Sequence, residues 1–127
     1  MIRRVLAHKL VPTFIVLGTA ASCGDAPTGC TTIGEFAIYV DVYDKLDGTP
    51  AAFGALLIAR DGEYADSTAG VFPGGVRIGV AEERPGTYTI TVRKAGYGDW
   101  QRNGVAVVQG RCHVESQVLR ADLNRVG

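Results

Sequence analysis

A chain of 127 residues has room for one domain, and removal of an export segment would leave about a hundred, near the size of an immunoglobulin-like sandwich. So small a domain hides only about 60 to 65% of its unfolded surface, which makes a covalent staple valuable and the three cysteines worth tracing. Lys plus Arg equals Asp plus Glu at 13 each, but Arg3, Arg4 and Lys9 precede Ser22; the remainder is mildly acidic, which argues against the basic footprint that displaces counterions from nucleic-acid phosphates.

Residues 1–22 have the three-part layout of a signal peptide: Met1 to Lys9 carries the cations, Leu10 to Ala21 is mostly apolar, and Ala20, Ala21 and Ser22 are small. The apolar run is about a dozen residues, short of the roughly twenty that cross a hydrocarbon core, and Pro12 interrupts it, so no lasting transmembrane helix is expected. Ala20-Ala21-Ser22-Cys23 resembles the bacterial lipobox, which implies a diacylglyceryl group on Cys23. Its first position is Ala where Leu is usual, so ordinary cleavage after Ala21 or Ser22, giving a soluble periplasmic or secreted product, is the competing route. An exported chain normally avoids an orphan thiol, and three cysteines divide into one anchor, Cys23, and one pair, Cys30 with Cys112. Residues 23–32 then form a short tether that places the domain close to a membrane. Gly24 supplies no aspartate retention signal, which favours the outer membrane.

Residues 33–124 read as strands. From Glu35 to Tyr43, Phe36, Ile38, Val40 and Val42 alternate with Ala37, Tyr39, Asp41 and Tyr43, the period of a half-buried strand. Asp44 to Pro50 is a cluster of turn formers, and Ala55 to Ala59 is apolar on both faces, as a more deeply buried strand would be. Arg60-Asp61-Gly62-Glu63 reads as a two-residue hairpin turn, Glu63 to Ser67 as its short polar return, and Ala69 to Gly75 as a glycine-rich loop. Val76, Ile78 and Val80 restart the alternation. After Glu83-Arg84-Pro85-Gly86, Thr87 to Arg93 is the clearest strand, with Tyr88, Ile90 and Val92 on one side and β-branched residues at most positions. Ala95 to Gly98 turns the chain, Val105 to Val108 is another short strand, and the last is expected to open at Cys112 with Cys112, Val114 and Val118 facing the core. Beyond Val118 the apolar positions move to Leu119, Ala121 and Leu123, a parity change that points to a bulge or the end of pairing. Six or seven short strands between Gly, Pro and Asp turns predict an all-β, two-sheet immunoglobulin- or transthyretin-like sandwich. A Cys30–Cys112 bond would close a loop of about 80 residues, for which chain entropy gives roughly 4.5 kcal/mol.

The run V-D-V-Y-D at 40–44, G-T-P-A-A-F-G-A at 48–55, P-G-T-Y-T-I-T-V at 85–92 and A-G-Y at 95–97 resembles the carboxypeptidase regulatory-like domain. The similarity spans roughly residues 33–97 and departs from the family pattern at 62–79, where the loop is glycine-rich. The resemblance implies a transthyretin-like sandwich that supports folding or contacts partners, and it implies no active site.

Chemistry is hard to assemble from the residues. One histidine, His113, follows the signal peptide, with no second ligand at zinc spacing, which excludes a metallopeptidase site and leaves no cofactor expected. Ser67 and Ser116 are the serines beyond residue 22, and His113 adjoins a disulfide cysteine, so no nucleophile and base pair up in sequence; His113 is expected to face solvent on a strand. Asp44 and Asp47 offer oxygens for calcium, but too few, and Asp-Gly is foremost a turn pair. Glu82-Glu83-Arg84 is expected to be a solvated turn. Tyr39 and Tyr43 share a strand face and, with Trp100, are a possible ligand surface for sugar rings or partner side chains; the competing reading is that they pack structurally. The expected protein is a non-enzymatic envelope lipoprotein held to the membrane by Cys23, with a protein or glycan partner. The alternatives are a carbohydrate- or peptidoglycan-binding module and a hydrolase with an unrecognised site.

Overall fold

The computed structural model describes residues 29–127 and the single residue Gly18. The rest of the expected signal peptide, Cys23 and most of the tether lie outside the described residues. Seven strands follow in order: β1 Phe36–Asp44, β2 Leu56–Asp61, β3 Tyr64–Ala69, β4 Arg77–Glu82, β5 Gly86–Arg93, β6 Trp100–Val107 and β7 Gln117–Leu123. They build two sheets, β4-β1-β7 and β3-β2-β5-β6, stacked as the sandwich that the alternating pattern predicts.

The core is where the two periods of two meet. Ile38, Val40 and Val42 of β1 are fully buried beside Ile78 and Val80 of β4, and face Leu57 and Ala59 of β2 and Tyr88, Ile90 and Val92 of β5. Each such aliphatic side chain contributes about 1.5 to 3 kcal/mol relative to exposure. Tyr88 brings a hydroxyl into this interior, and it donates to the backbone carbonyl of Arg84 at 2.5 Å, so the burial leaves no polar atom orphaned.

Strands pair antiparallel except β1 with β7, which run parallel from Ile38 opposite Gln117 to Asp44 opposite Leu123. That register corrects the expectation for the last strand. Val118 lies beside outward-facing Tyr39 and is 54% exposed, whereas Leu119, Ala121 and Leu123 sit beside Val40, Val42 and Asp44 on the inner face. No bulge interrupts β7. Cys112 does not open it either: it is exposed in the preceding loop, and of the three residues expected to face the core there, Val114 alone does. The irregularity lies instead between β5 and β6, where the register shifts between Tyr88 and Ile90 opposite Gly104 at φ 67°.

Three smaller corrections rest on pairing and layering that composition does not reveal. The hairpin turn centres on Gly62 and Glu63, because Asp61 pairs with Tyr64; Gly62 takes φ 57° as the first residue of a type II′ turn requires. β2 is buried on one face, with Leu56 38% exposed and Ile58 partly so, because among the described residues no element covers the outside of its sheet. β6 begins at Trp100 rather than Val105, since its polar first half is held by β5 hydrogen bonds, and Val108 falls outside it.

The connections sort onto two ends. β2–β3, β4–β5 and β6–β7 turn at the end where β1 begins, which also holds the Cys30–Cys112 disulfide, Cα to Cα 5.3 Å. The β1–β2, β3–β4 and β5–β6 connections and the C-terminal residues share the opposite end.

Candidate functional site

At the end remote from the disulfide, the loops are tied to one another before anything is left for a ligand. Gly54 and Gly70 join the β1–β2 and β3–β4 loops through N–H bonds to Gly70 and Ala55 carbonyls, 2.8 and 2.9 Å. A Cβ on Gly70 would strike the Ala52 carbonyl oxygen, so this close approach needs glycine. The stretches 48–59 and 67–76 carry no charge, and while Ala51, Ala52, Ala55, Leu57 and Ala59 pack inward, Phe53, Leu56, Val71 and Phe72 are exposed. Of the nine large hydrophobic residues exposed among the described residues, six belong to this end: Leu46, Phe53, Leu56, Val71, Phe72 and Val126, with Phe72 at 75% and Leu46 at 77%.

Behind these tips lies the sandwich's buried carboxylate. Asp44, 1% exposed, accepts from the Tyr97 hydroxyl at 2.6 Å, the Arg125 guanidinium at 2.6 Å, and the Leu46 and Asp47 N–H groups. The Tyr97 hydrogen bond, followed by Arg125 and the backbone donors, holds this carboxyl far below the usual range against the opposing effect of burial. Arg125 also reaches Asp47 at 2.9 Å, whose carboxylate is lowered chiefly by Thr49. A cleft of about 460 Å³ opens beside the cluster, lined by Lys45, Leu46, Asn124 and Arg125. Turn chemistry is thus the right account of Asp44 and Asp47, with an ion pair added by a C-terminal arginine some 80 residues away that no local pattern announces.

The disulfide end holds a second polar cluster. Glu83, in a left-handed conformation at φ 50°, accepts the Glu35 N–H at 2.8 Å and the Val114 N–H at 3.3 Å, and its other contact is Nδ1 of His113. The Glu35 N–H, then His113 and the Val114 N–H, lower the Glu83 carboxyl while desolvation opposes them. His113 Nε2 lies 3.0 Å from Thr31 Oγ1. Neither expectation for these residues holds: His113 is in a loop with its side chain 23% exposed, and Glu83 is a hub rather than a solvated turn. Arg84 is equally engaged, stacked 3.8 Å over the Tyr64 ring and bonded to Asp61 and Tyr88. Among the described residues no group of three or more His, Cys, Asp or Glu is arranged to hold a metal ion.

The aromatic residues singled out in the sequence are not gathered into one platform. Tyr39 and Tyr43 lie on the outer face of the three-stranded sheet, Trp100 on an edge strand of the other. Each is roofed by a cation, Arg77 over Tyr39, Arg120 at 4.0 Å over Tyr43 and Arg102 over Trp100.

Comparison with protein-family models and with curated proteins finds no match to this chain.

Proposed function

We propose that the chain is a cell-envelope lipoprotein, carried on lipid at Cys23, whose carboxypeptidase regulatory-like sandwich is an interaction module that meets its partner through the loop end. The observation that carries this reading is the gathering of six exposed hydrophobic residues at one end of the sandwich, with Phe53, Val71 and Phe72 on two mutually braced, uncharged loop stretches, away from the disulfide end. A monomeric surface has no reason to concentrate apolar side chains this way, and contact with a partner removes the cost. Bracing by the Gly54 and Gly70 hydrogen bonds limits the ordering entropy lost on binding. The covered aromatics favour this over a glycan platform, since a sugar ring would have to displace a guanidinium from each.

Intact mass of membrane-extracted protein tests the anchor, with a diacylglyceryl-modified Cys23 expected as the new N-terminus. Crosslinking in intact cells tests the surface. A Phe53→Asp, Phe72→Asp double variant is expected to melt close to wild type, both side chains being half-exposed or more, yet to lose the crosslinked adduct. An unchanged adduct would discard the loop end, and a positive polysaccharide array would move the assignment to a glycan-binding module.

A further inference from the structure

The cluster at the disulfide end has the layout of an activated nucleophile. Three separate segments converge there: Thr31 ahead of β1, Glu83 between β4 and β5, and His113 between β6 and β7. The hydrogen positions follow from the partners. Glu83 takes two backbone N–H groups, which keeps it a carboxylate, so His113 Nδ1 must be the donor to it. In its neutral form, with the proton on Nδ1, His113 presents a bare Nε2 at 3.0 Å from the Thr31 hydroxyl, which in that form donates to it. An alcohol donating to an imidazole whose far side is oriented by a carboxylate is the arrangement that activates hydroxyl nucleophiles in unrelated folds. Thr31 is exposed, so an acyl donor can reach it from solvent.

Two further features belong to the same cluster. Cys30 and Cys112 are the residues immediately before Thr31 and His113, so their disulfide fastens the nucleophile segment to the base segment one residue away on each side. Glu83 is held in a left-handed backbone conformation that non-glycine residues rarely adopt, a strain often found where a side chain has to be aimed.

We propose that Thr31, His113 and Glu83 form an acyl-transfer site for carboxylic esters, with Thr31 the nucleophile, His113 the base and Glu83 a positioning residue. Thr31 Oγ1 adds to the ester carbonyl as its proton passes to His113 Nε2. The adduct collapses with cleavage of the carbonyl carbon to alkoxy oxygen bond, and His113 returns the proton to the leaving alkoxide, giving acyl-Thr31 and free alcohol. Water then adds to the acyl group with its proton going to Nε2, and Thr31 leaves with that proton, releasing the carboxylic acid. The site stands apart from the loop end and does not depend on a partner there.

The test mixes the purified full chain with p-nitrophenyl acetate, follows nitrophenol release, and maps the acid-quenched protein by peptide mass. Acetyl-Thr31 is expected in the wild type. Thr31→Ala should remove that adduct without changing the melting temperature, Thr31→Ser should keep it, and His113→Gln should slow its formation by at least about 100-fold. Glu83→Gln should alter the pH dependence of the acylation rate, which a purely structural role would leave in place. Acetylation confined to lysines, or a Thr31 adduct formed equally fast in His113→Gln, overturns the proposal.

Discussion

Asp44 concentrates more of the far end's organisation than any other residue, because its two oxygens take a tyrosine hydroxyl, an arginine and two backbone N–H groups that otherwise belong to three separate segments. A buried ion pair is weak evidence of net stability, but removing one partner strands the other, and here Arg125 would retain only Asp47. Asp44→Asn is therefore expected to lower the melting temperature by roughly 10 °C, checked by thermal unfolding at neutral pH. The pH dependence has a definite sign. Since the folded Asp44 carboxyl lies below its unfolded value, its stabilisation is complete above the ordinary carboxylate range and drains away as pH falls through that range toward the folded value. Glu83 and Asp47, lowered likewise, act in the same direction. Wild-type melting should fall on acidification below about pH 4, and the fall should be shallower in Asp44→Asn, whose amide does not titrate.

Strands β1 and β5 were legible in the sequence because their own residues alternate cleanly and each has one face on the core. β7 was not, for a physical reason: its apolar residues occupy both parities, Val118 on one and Leu119, Ala121 and Leu123 on the other, so local pattern leaves the choice to the neighbour. The neighbour is β1, far earlier in the chain, and its parallel register decides. Leu123→Ala should cost about 2 to 4 kcal/mol in denaturant unfolding, since Leu123 is 1% exposed, whereas Val118→Thr should stay within about 0.5 kcal/mol. Equal effects would mean that β7 is offset by one residue. The same dependence on distant partners hid both polar clusters. Asp44 and Asp47 showed as a turn, but Arg125 and Tyr97 reach them through the fold, and Thr31 and His113 lie far apart in sequence until the sheets stack. The cysteine parity that pairs Cys30 with Cys112 was the one sequence signal that brings Thr31 and His113 together.

Taken as a whole, the molecule is a thin sandwich whose first described residues and last inter-strand loop are joined by that disulfide, 82 residues apart in sequence. The bond acts mainly on the unfolded chain, which loses conformations when so long a loop is closed, so the chain-entropy figure of roughly 4.5 kcal/mol is a ceiling rather than a value. The folded state has its own hold on the same ends: β1 pairs with β7 along its length, and Ser116 donates to the Phe36 carbonyl at 2.6 Å. A Cys30→Ser, Cys112→Ser double variant should therefore still fold, with both sheets intact by circular dichroism, but lose about 2 to 4 kcal/mol in urea unfolding. Its effect on Thr31 should be larger than its effect on the sheets, because no strand pairing holds residues 30–34, and backbone exchange there should rise well before that of β1. Equal protection of residues 30–34 with and without the bond would show that the Thr31 to His113 contact holds that segment unaided.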